Sequence, residues 1–183
     1  MWPLLVLFLP IVQGSSALVA VSNAVSGPLR GSLTVQCRYE PGWETYSKWW
    51  CQGAQWKDCH ILVQTDGSER EEKGHHVSIK DNQKSRTFTV TMEELRWNNA
   101  DTYWCGIERS GTDLGVEVKV TIDPVTVQCH YGPGWETYVK SWCPDADLNS
   151  CTILVQTTGS ELKKNRLSIN QKKHTFSMTI WGE

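Results

Sequence analysis

The sequence predicts an all-β fold: an immunoglobulin variable-type (V-set) sandwich followed by an incomplete second V-type repeat. In the run Asp101-Thr102-Tyr103-Trp104-Cys105, a tyrosine stands two residues before a cysteine, which is the spacing of a tyrosine corner at the start of strand F. Cys37 lies far upstream as the predicted disulfide partner of Cys105, and Trp50 stands between them where the buried strand-C tryptophan belongs. These spacings together are specific to the V-type sandwich.

Alternation of apolar and polar residues predicts the strands in order. Residues Leu33, Val35 and Cys37 form the inward face of strand B, and a turn at Gly27-Pro28 and Gly31 precedes it. The predicted strands are A at 18–21, B at 33–37, C at 48–52, C′ at 60–64, D at 77–79, E at 87–92, F at 101–105 and G at 116–122. The charge run at 69–73 is predicted to be a solvated C″ face.

A second disulfide is predicted on the outer side of the same sheet. Cys51 follows the inward-facing Trp50, so it is predicted to face outwards, with Cys59 on neighbouring strand C′ as its partner. A zinc site formed by Cys51, Cys59 and His60 is the alternative, which a secreted context disfavours.

Three tryptophans, Trp49, Trp56 and Trp104, are predicted to share the outer face of the C–C′–F–G sheet. Exposed aromatic side chains there would form a contact surface. The alternative is that they pack over the disulfide and the loop stems, and the sequence leaves both interpretations open.

Residues 1–17 are predicted to be a signal peptide, because an apolar run from Met1 gives way to small residues before Leu18. An oxidising compartment then favours bridges among the seven cysteines. No later segment approaches the roughly 18 apolar residues of a membrane span. The chain is therefore predicted to be extracellular, secreted as written, or held at the plasma membrane if a full-length product has a transmembrane segment. A net charge of −2 implies no nucleic-acid partner.

Several motifs together resemble the CMRF-like leukocyte mono-immunoglobulin receptors and, more distantly, the polymeric-immunoglobulin receptor domains. The motifs are Lys48-Trp49-Trp50-Cys51 and the runs at 59–63, 67–69, 77–83, 87–92 and 101–106. The resemblance covers residues 18–122, the predicted V-type domain. It implies a myeloid surface receptor that binds phospholipid head groups or other lipids, sometimes with calcium. We expect the signalling adaptors of such receptors to be out of reach of this chain.

One position departs from the pattern of that family. The family has an arginine before Val77 that pairs with the aspartate of the F-strand motif, whereas this chain has His76. We expect His76 to pair with Asp101 when protonated and to lose this partnership as pH rises, because a neutral imidazole carries no charge.

Residues 123–183 are predicted to be a truncated V-type repeat that lacks strands A, F and G. Residues 125–138 repeat residues 33–46, and Cys143 and Cys151 match Cys51 and Cys59 as a third disulfide pair. Cys129 matches Cys37 but has no partner, since no second Asp-x-Tyr-x-Cys run follows.

Two interpretations of this repeat remain open. Its apolar side chains, such as Phe176 and Met178, would face a missing sheet, so a truncated product that does not fold alone is one interpretation. The other is a disulfide-linked dimer through Cys129 and the open sheet edge.

The recognition end of a V-type domain is formed by the B–C, C′–C″ and F–G loops, and the candidate ligand site lies in the B–C and F–G loops. Arg109 could contact a lipid phosphate, and Trp43 could enter the head-group region. Glu44 and Asp113 could ligate calcium, a hard cation that takes oxygen ligands, although loop carboxylates are more often simply solvated. Calcium is the only cofactor that the sequence suggests.

The sequence has no nucleophile–base pattern and no glycine-rich phosphate loop, so we do not expect an enzyme. The predicted function is immune recognition by a leukocyte-type receptor that binds lipid head groups or a cell-surface protein and regulates myeloid responses. The alternatives are an immunoglobulin-Fc-binding module and a non-signalling decoy or truncated product.

Overall fold

The computed structural model describes residues 16–143, 153–157, 161–164, 167–172 and 174–181. The strands of the first domain are β1 (Leu18–Ala20), β2 (Ala24–Pro28), β3 (Leu33–Tyr39), β4 (Lys48–Gln52), β5 (His60–Gln64), β6 (Glu72–Lys73), β7 (Val77–Asn82), β8 (Thr87–Met92), β9 (Asp101–Ile107) and β10 (Leu114–Asp123). They form two five-stranded sheets in the orders β1-β3-β8-β7-β6 and β2-β10-β9-β4-β5. This is the predicted V-type sandwich, with β3, β4, β8 and β9 as strands B, C, E and F.

The core lies between the two sheets and follows the alternation of the sequence. In β3, Leu33, Val35 and Cys37 are buried and the residues between them are exposed, as predicted. Trp50 stacks on Tyr103 with 5.1 Å between ring centroids and 9° between ring planes. Both side chains are fully buried, so they form the centre of the sandwich.

Two disulfides connect the strands of this domain. Cys37 is bonded to Cys105 across the core, a separation of 68 residues that should stabilise the fold by about 4 kcal/mol. Cys51 is bonded to Cys59. The predicted pairs are therefore present, and the zinc alternative at His60 is wrong, because both of its thiolate ligands are consumed in the disulfide.

The tyrosine corner has the predicted geometry. Tyr103 donates its hydroxyl hydrogen to the Asn99 carbonyl oxygen at 3.0 Å. Asn99 ends a single-turn 3-10 helix (Trp97–Asn99) between β8 and β9. Burial, and then the nearby Asp101 carboxylate, raises the pKa of Tyr103 to about 12.

Strand β2 was not predicted. The predicted turn is present from Pro28 to Gly31, where the Gly31 amide donates to the Pro28 carbonyl at 2.9 Å, but Gly27 and Pro28 also form the end of β2. Strand β2 pairs in parallel with β10, which is distant in the sequence. Serine, glycine and proline favour strands weakly, so only this long-range pairing reveals the element.

Cys51 and Trp49 lie outside the core cluster between the sheets, as the outward-facing prediction requires, yet neither is exposed to solvent. Cys51 is fully buried, and Trp49 is only 3% exposed. The Trp49 ring covers Gly106 so closely that a Cβ built on that glycine would lie 2.0 Å from the ring. Trp49 does face away from the core, but the absence of a side chain on Gly106 lets it lie flat on the sheet.

Trp56 and Trp104 are half-buried beside it. Trp56 lies against Gly115, and Trp104 donates its indole hydrogen to the Gly53 carbonyl at 2.9 Å. The three tryptophans are therefore buried or half-buried against the sheet and a loop stem, which agrees better with the packed alternative than with an exposed contact surface.

The predicted pairing of His76 with Asp101 is also wrong. His76 has a backbone φ of 55°, and its Nδ1 atom lies 3.6 Å from Glu94 Oε2. Asp101 instead accepts hydrogen bonds from the Gln52 side chain and the Thr102 amide, both at 2.7 Å. Because Asp101 is bonded to Gln52 and to the Thr102 amide rather than to His76, the pH dependence predicted for a His76–Asp101 pair is wrong as well.

A second unit follows β10 directly. Its strands are β11 (Val125–His130), β12 (Ser141–Trp142), β13 (Val155–Gln156), β14 (Glu161–Lys164), β15 (Leu167–Lys172) and β16 (Thr175–Ile180). Strands β11, β16, β15 and β14 form one sheet, and β12 pairs with β13 in a two-stranded sheet. Strand β14 was not among the predicted strands of the repeat.

A small core holds the second unit together. Val155, Ile169 and Met178 are buried, with Trp142 and Phe176 packed partly against them. The expectation that Met178 faces a missing sheet is therefore wrong, because the β12–β13 pair covers part of this face. Within the described residues, no strand pairs with β12 on the side that β9 occupies along β4 in the first domain.

The remaining cysteines lie in this unit. Cys129 on β11 is a free thiol and is half-buried. It is in register with Phe176, as Cys37 is with Phe88. Cys143 is disulfide-bonded, and Cys151, its predicted partner, lies outside the described residues. Residues 1–15 of the predicted signal peptide also lie outside the described residues. Within the described ranges, no helix is long and apolar enough to cross a membrane.

Candidate functional site

The B–C loop (residues 40–47) and the F–G loop (residues 108–113) meet at one end of the first domain. The Arg109 guanidinium carbon lies 5.9 Å from the centre of the Trp43 ring. This is a cation–π contact between the two loops. It brings together two of the four residues that the sequence analysis assigns to the ligand site, one a cation and the other an amphipathic aromatic.

The F–G loop is closed by its own hydrogen bonds. The Arg109 amide donates to Asp113 Oδ1 at 3.2 Å, and Arg109 Nε donates to the Thr112 carbonyl. Gly111 supplies the left-handed conformation, φ 93°, that the turn requires. The loop therefore holds the guanidinium against Trp43, while most of its five N–H donors are not needed for this turn.

The B–C loop has a similar closure. Glu44 Oε2 accepts a hydrogen bond from the Gly42 amide at 2.7 Å. Hydrogen bonds from backbone amides of this loop lower the pKa of Glu44, so the carboxylate is ionised at neutral pH. Trp43 also contacts Tyr46 edge-on, with 5.0 Å between ring centroids.

A buried lysine fixes the base of the B–C loop. Lys48 Nζ donates to the carbonyl oxygens of Glu44 at 2.9 Å and Tyr46 at 2.6 Å. It also pairs with Asp81 on β7 at 2.9 Å. Gln83 adds a side-chain bond to the Glu44 carbonyl at 3.1 Å. Three side-chain hydrogen bonds therefore hold the loop at two of its carbonyl groups.

The sequence analysis did not find this anchor. The available signal was a lysine at the head of an otherwise apolar strand, Lys48, repeated at Lys140 in the second unit. Lys140 is buried in the same way and donates to the carbonyl oxygens of Glu136 and Tyr138. A charged residue preserved at the same place in both repeats indicates a structural role for the charge.

The two carboxylates do not form a complete calcium site. Glu44 and Asp113 each accept a hydrogen bond from an amide of their own loop. Among the described residues, no group of three or more histidine, cysteine or acidic side chains is arranged to hold a metal ion. Calcium takes six to eight oxygen ligands, so an ion between these loops would need most of its oxygens from water or from a ligand.

Comparison with known proteins identifies the family. The immunoglobulin V-set domain model matches residues 20–123. Human CMRF35-like molecule 5 is 48% identical over 170 residues, which cover 91% of this chain and 83% of that protein. The chain belongs to the CMRF35-like family. The resemblance seen in the sequence is thereby confirmed, and the first domain is an immunoglobulin-type immune-receptor domain rather than an enzyme.

Other CMRF35-like relatives match a smaller share of this chain at higher identity. Human CMRF35-like molecule 1 is 61% identical over 129 residues, covering 68% of this chain and 44% of that protein. Human CMRF35-like molecule 7 is 65% identical over 102 residues, covering 56% of this chain and 51% of that protein. The chain thus spans about half the length of these two relatives.

Solved structures agree with the fold. The ectodomain of the teleost fish polymeric Ig receptor has a TM-score of 0.50 at 25% identity, covering 91% of this chain and 86% of that chain. The NK cell receptor Nkp44, a triggering partner in natural cytotoxicity, has a TM-score of 0.51 at 27% identity, covering 56% of this chain and 98% of that chain. Both relationships are consistent with an extracellular receptor domain.

Proposed function

We propose that this CMRF35-like chain recognises an anionic phospholipid head group through its B–C and F–G loops. The observation that carries the proposal is the contact between Arg109 and Trp43. The guanidinium supplies hydrogen bonds and charge to a phosphate oxygen. The indole, held beside it, enters the head-group region, where amphipathic aromatic side chains are stable.

Calcium would strengthen this interaction if it bridges protein and lipid. Glu44 and Asp113 lie in the same two loops and would each offer a carboxylate oxygen, with lipid phosphate and water completing the shell. Direct contact through Arg109 needs no metal, so binding in EDTA separates the two modes of recognition.

Liposome flotation of the full chain tests the proposal. We expect binding to phosphatidylserine-containing vesicles, little binding to pure phosphatidylcholine, and at least a tenfold loss in Arg109→Gln. Arg70→Gln is the matched control, because Arg70 is an exposed arginine of the neighbouring C′–C″ loop. Equal binding by the wild-type chain and Arg109→Gln would contradict the proposal. If the wild-type chain binds vesicles equally well in calcium and in EDTA, and Asp113→Ala binds as the wild type does, only the calcium bridge is contradicted.

An immunoglobulin-Fc-binding module is the second candidate. It is supported by the likeness to the polymeric Ig receptor ectodomain, which extends over both units of this chain. Pull-down with polymeric immunoglobulin, in parallel with the vesicle assay, distinguishes the two functions. Retention of immunoglobulin without any vesicle binding would favour this alternative.

A disulfide between two copies of the chain through Cys129 is a separate proposal. This thiol is free and half-buried on β11, on the side that Cys37 presents to Cys105 in the first domain. We propose that it links two copies when the chain is secreted. Non-reducing electrophoresis should give a dimer that Cys129→Ser abolishes. Monomer alone in the wild-type protein would rule this linkage out.

A further inference from the structure

A cavity of about 310 Å³ opens at the end of the first domain opposite the B–C and F–G loops. Its floor is apolar and is formed by Leu62, Met92 and Tyr103, of which the last two are buried. Its rim is polar and carries the side chains of Gln52, His75, His76, Glu94, Arg96 and Asn98.

His76, which has a left-handed backbone, is one of the residues that line the cavity. The Nδ1 atom of its imidazole lies 3.6 Å from Glu94 Oε2. On β4, the Gln52 side-chain amide donates a hydrogen bond to Asp101 Oδ2 at 2.7 Å. The second unit has Arg166 at the matching position of the sequence. An arginine is longer by several atoms, so at position 76 it would extend into the space between His76 and Gln52. The shorter residue leaves this space open.

We propose that this cavity binds a neutral sugar ring. Its volume lies at the lower end of the range for ligand pockets, which suits a single small ligand. A pyranose has an apolar face for Leu62, the half-buried side chain of the floor, and hydroxyl groups around its edge. The rim offers donors from Arg96 and Asn98 and acceptors from Glu94 and Asn98, as hydroxyl groups require.

The charge of the rim argues against an anionic ligand. Among the carboxylate and guanidinium groups that line the cavity, Glu93 and Glu94 contribute two negative charges and Arg96 one positive charge. A sugar that bears a carboxylate or sulfate would meet net repulsion there. The predicted ligand is thus a neutral terminal residue of a glycan, and the site is independent of the lipid-binding loops.

A second cavity, of about 540 Å³, would receive the next sugar of the same glycan. It shares Glu94 and Arg96 with the first cavity and is lined by Leu29 and Trp97. The half-buried Trp97 ring offers a flat apolar surface with a polar edge, which suits the two faces of a sugar ring.

Amide chemical-shift titration of the isotope-labelled full chain tests this site. The probes are the methyl glycosides of β-galactose, α-mannose and β-N-acetylglucosamine, with that of sialic acid as the anionic comparison. We expect at least one neutral glycoside to bind with millimolar affinity and to shift the amides of His75, His76, Glu94 and Asn98. His76→Arg should weaken binding at least tenfold without lowering Tm, because the longer side chain fills the cavity. Asn98→Ala, a change on the exposed rim, should weaken it as well.

Arg109→Gln is the matched control and should leave sugar binding unchanged, just as His76→Arg should leave vesicle binding unchanged. The proposal is overturned if none of the neutral glycosides shifts these amides. It is equally overturned if His76→Arg binds them as the wild type does, or if the sialic acid glycoside binds more tightly than all three.

Discussion

Lys48 and Asp81 form an ion pair in the interior of the first domain, with 2.9 Å between Nζ and Oδ2 and neither side chain exposed. Tyr39 donates its hydroxyl hydrogen to the same carboxylate at 3.0 Å, and its ring lies 4.6 Å from the ammonium group. Because Lys48 also holds two carbonyl groups of the B–C loop, this pair connects the core to the candidate ligand site.

Replacing Asp81 by asparagine should destabilise the first domain by about 3–5 kcal/mol, because it leaves a buried ammonium group without its counter-charge. Urea unfolding followed by near-ultraviolet circular dichroism measures the loss. The double variant Lys48→Met/Asp81→Leu removes both charges and should recover much of the stability, since no unpaired charge remains.

The same pair of variants separates stability from loop geometry. The double variant should still bind vesicles less well than the wild type, because the B–C carbonyl groups lose their lysine donor. If Asp81→Asn unfolds at the same urea concentration as the wild type, the pair is not a significant source of stability.

Sequence patterns predict the parts of this fold that depend on local alternation and fixed spacing. The inward face of β3 and the Cys37–Cys105 bond are of this kind. Strand β2 could not be predicted, because only its pairing with distant β10 makes it a strand. Alternation also gave the correct side of the sheet for Trp49, but not its burial, which depends on a glycine of another strand.

The candidate site divides in the same way. Spacing predicts that Trp43 and Arg109 lie in loops at one end of the domain, and the structure places them in contact. The anchor formed by Lys48 and Asp81 joins positions 33 residues apart, and no local pattern indicates that pairing. His76 has a left-handed φ, a conformation that residues other than glycine seldom adopt. The sequence alone does not reveal this backbone conformation.

Replacing Gln171 by aspartate should stabilise the second unit. Gln171 holds the register position on β15 that Asp81 holds on β7, because it pairs with Phe176 as Asp81 pairs with Phe88. Lys140 is the counterpart of Lys48 and is buried, so a carboxylate at position 171 would restore the ion pair. We expect slower hydrogen exchange in β15 and β16 by about tenfold or more, from a charge-assisted bond of about 1.5–3 kcal/mol. Gln171→Asn, which adds no charge, is the control; equal protection in both variants would refute the ion pair.

Gly106→Ala should destabilise the first domain by about 1–3 kcal/mol or more, because the new methyl group overlaps the Trp49 ring. Gly115 is its register partner on β10, and a Cβ there would meet the same tryptophan at an ordinary 3.7 Å. Gly115→Ala should therefore leave the melting temperature nearly unchanged. Tryptophan fluorescence should shift to longer wavelength only in Gly106→Ala, as Trp49 is displaced towards water. Equal effects of the two alanines would contradict the close packing.

Stability should fall as pH rises above about 10, the ordinary pKa of tyrosine. The pKa of Tyr103 is raised to about 12 in the folded chain, and burial and Asp81 raise that of Tyr39 in the same direction. A raised pKa means that the unfolded chain releases these protons first, so the stabilisation is complete below pH 10 and is lost between about pH 10 and 12. Urea unfolding at pH 8, 9, 10 and 11, measured soon after mixing, should give a flat and then a declining free energy of unfolding. Tyr103→Phe should reduce the decline while lowering stability at pH 8 by about 1 kcal/mol, since the hydrogen bond to the Asn99 carbonyl is lost. A variant that keeps the full decline would show that Tyr103 is not among the groups responsible.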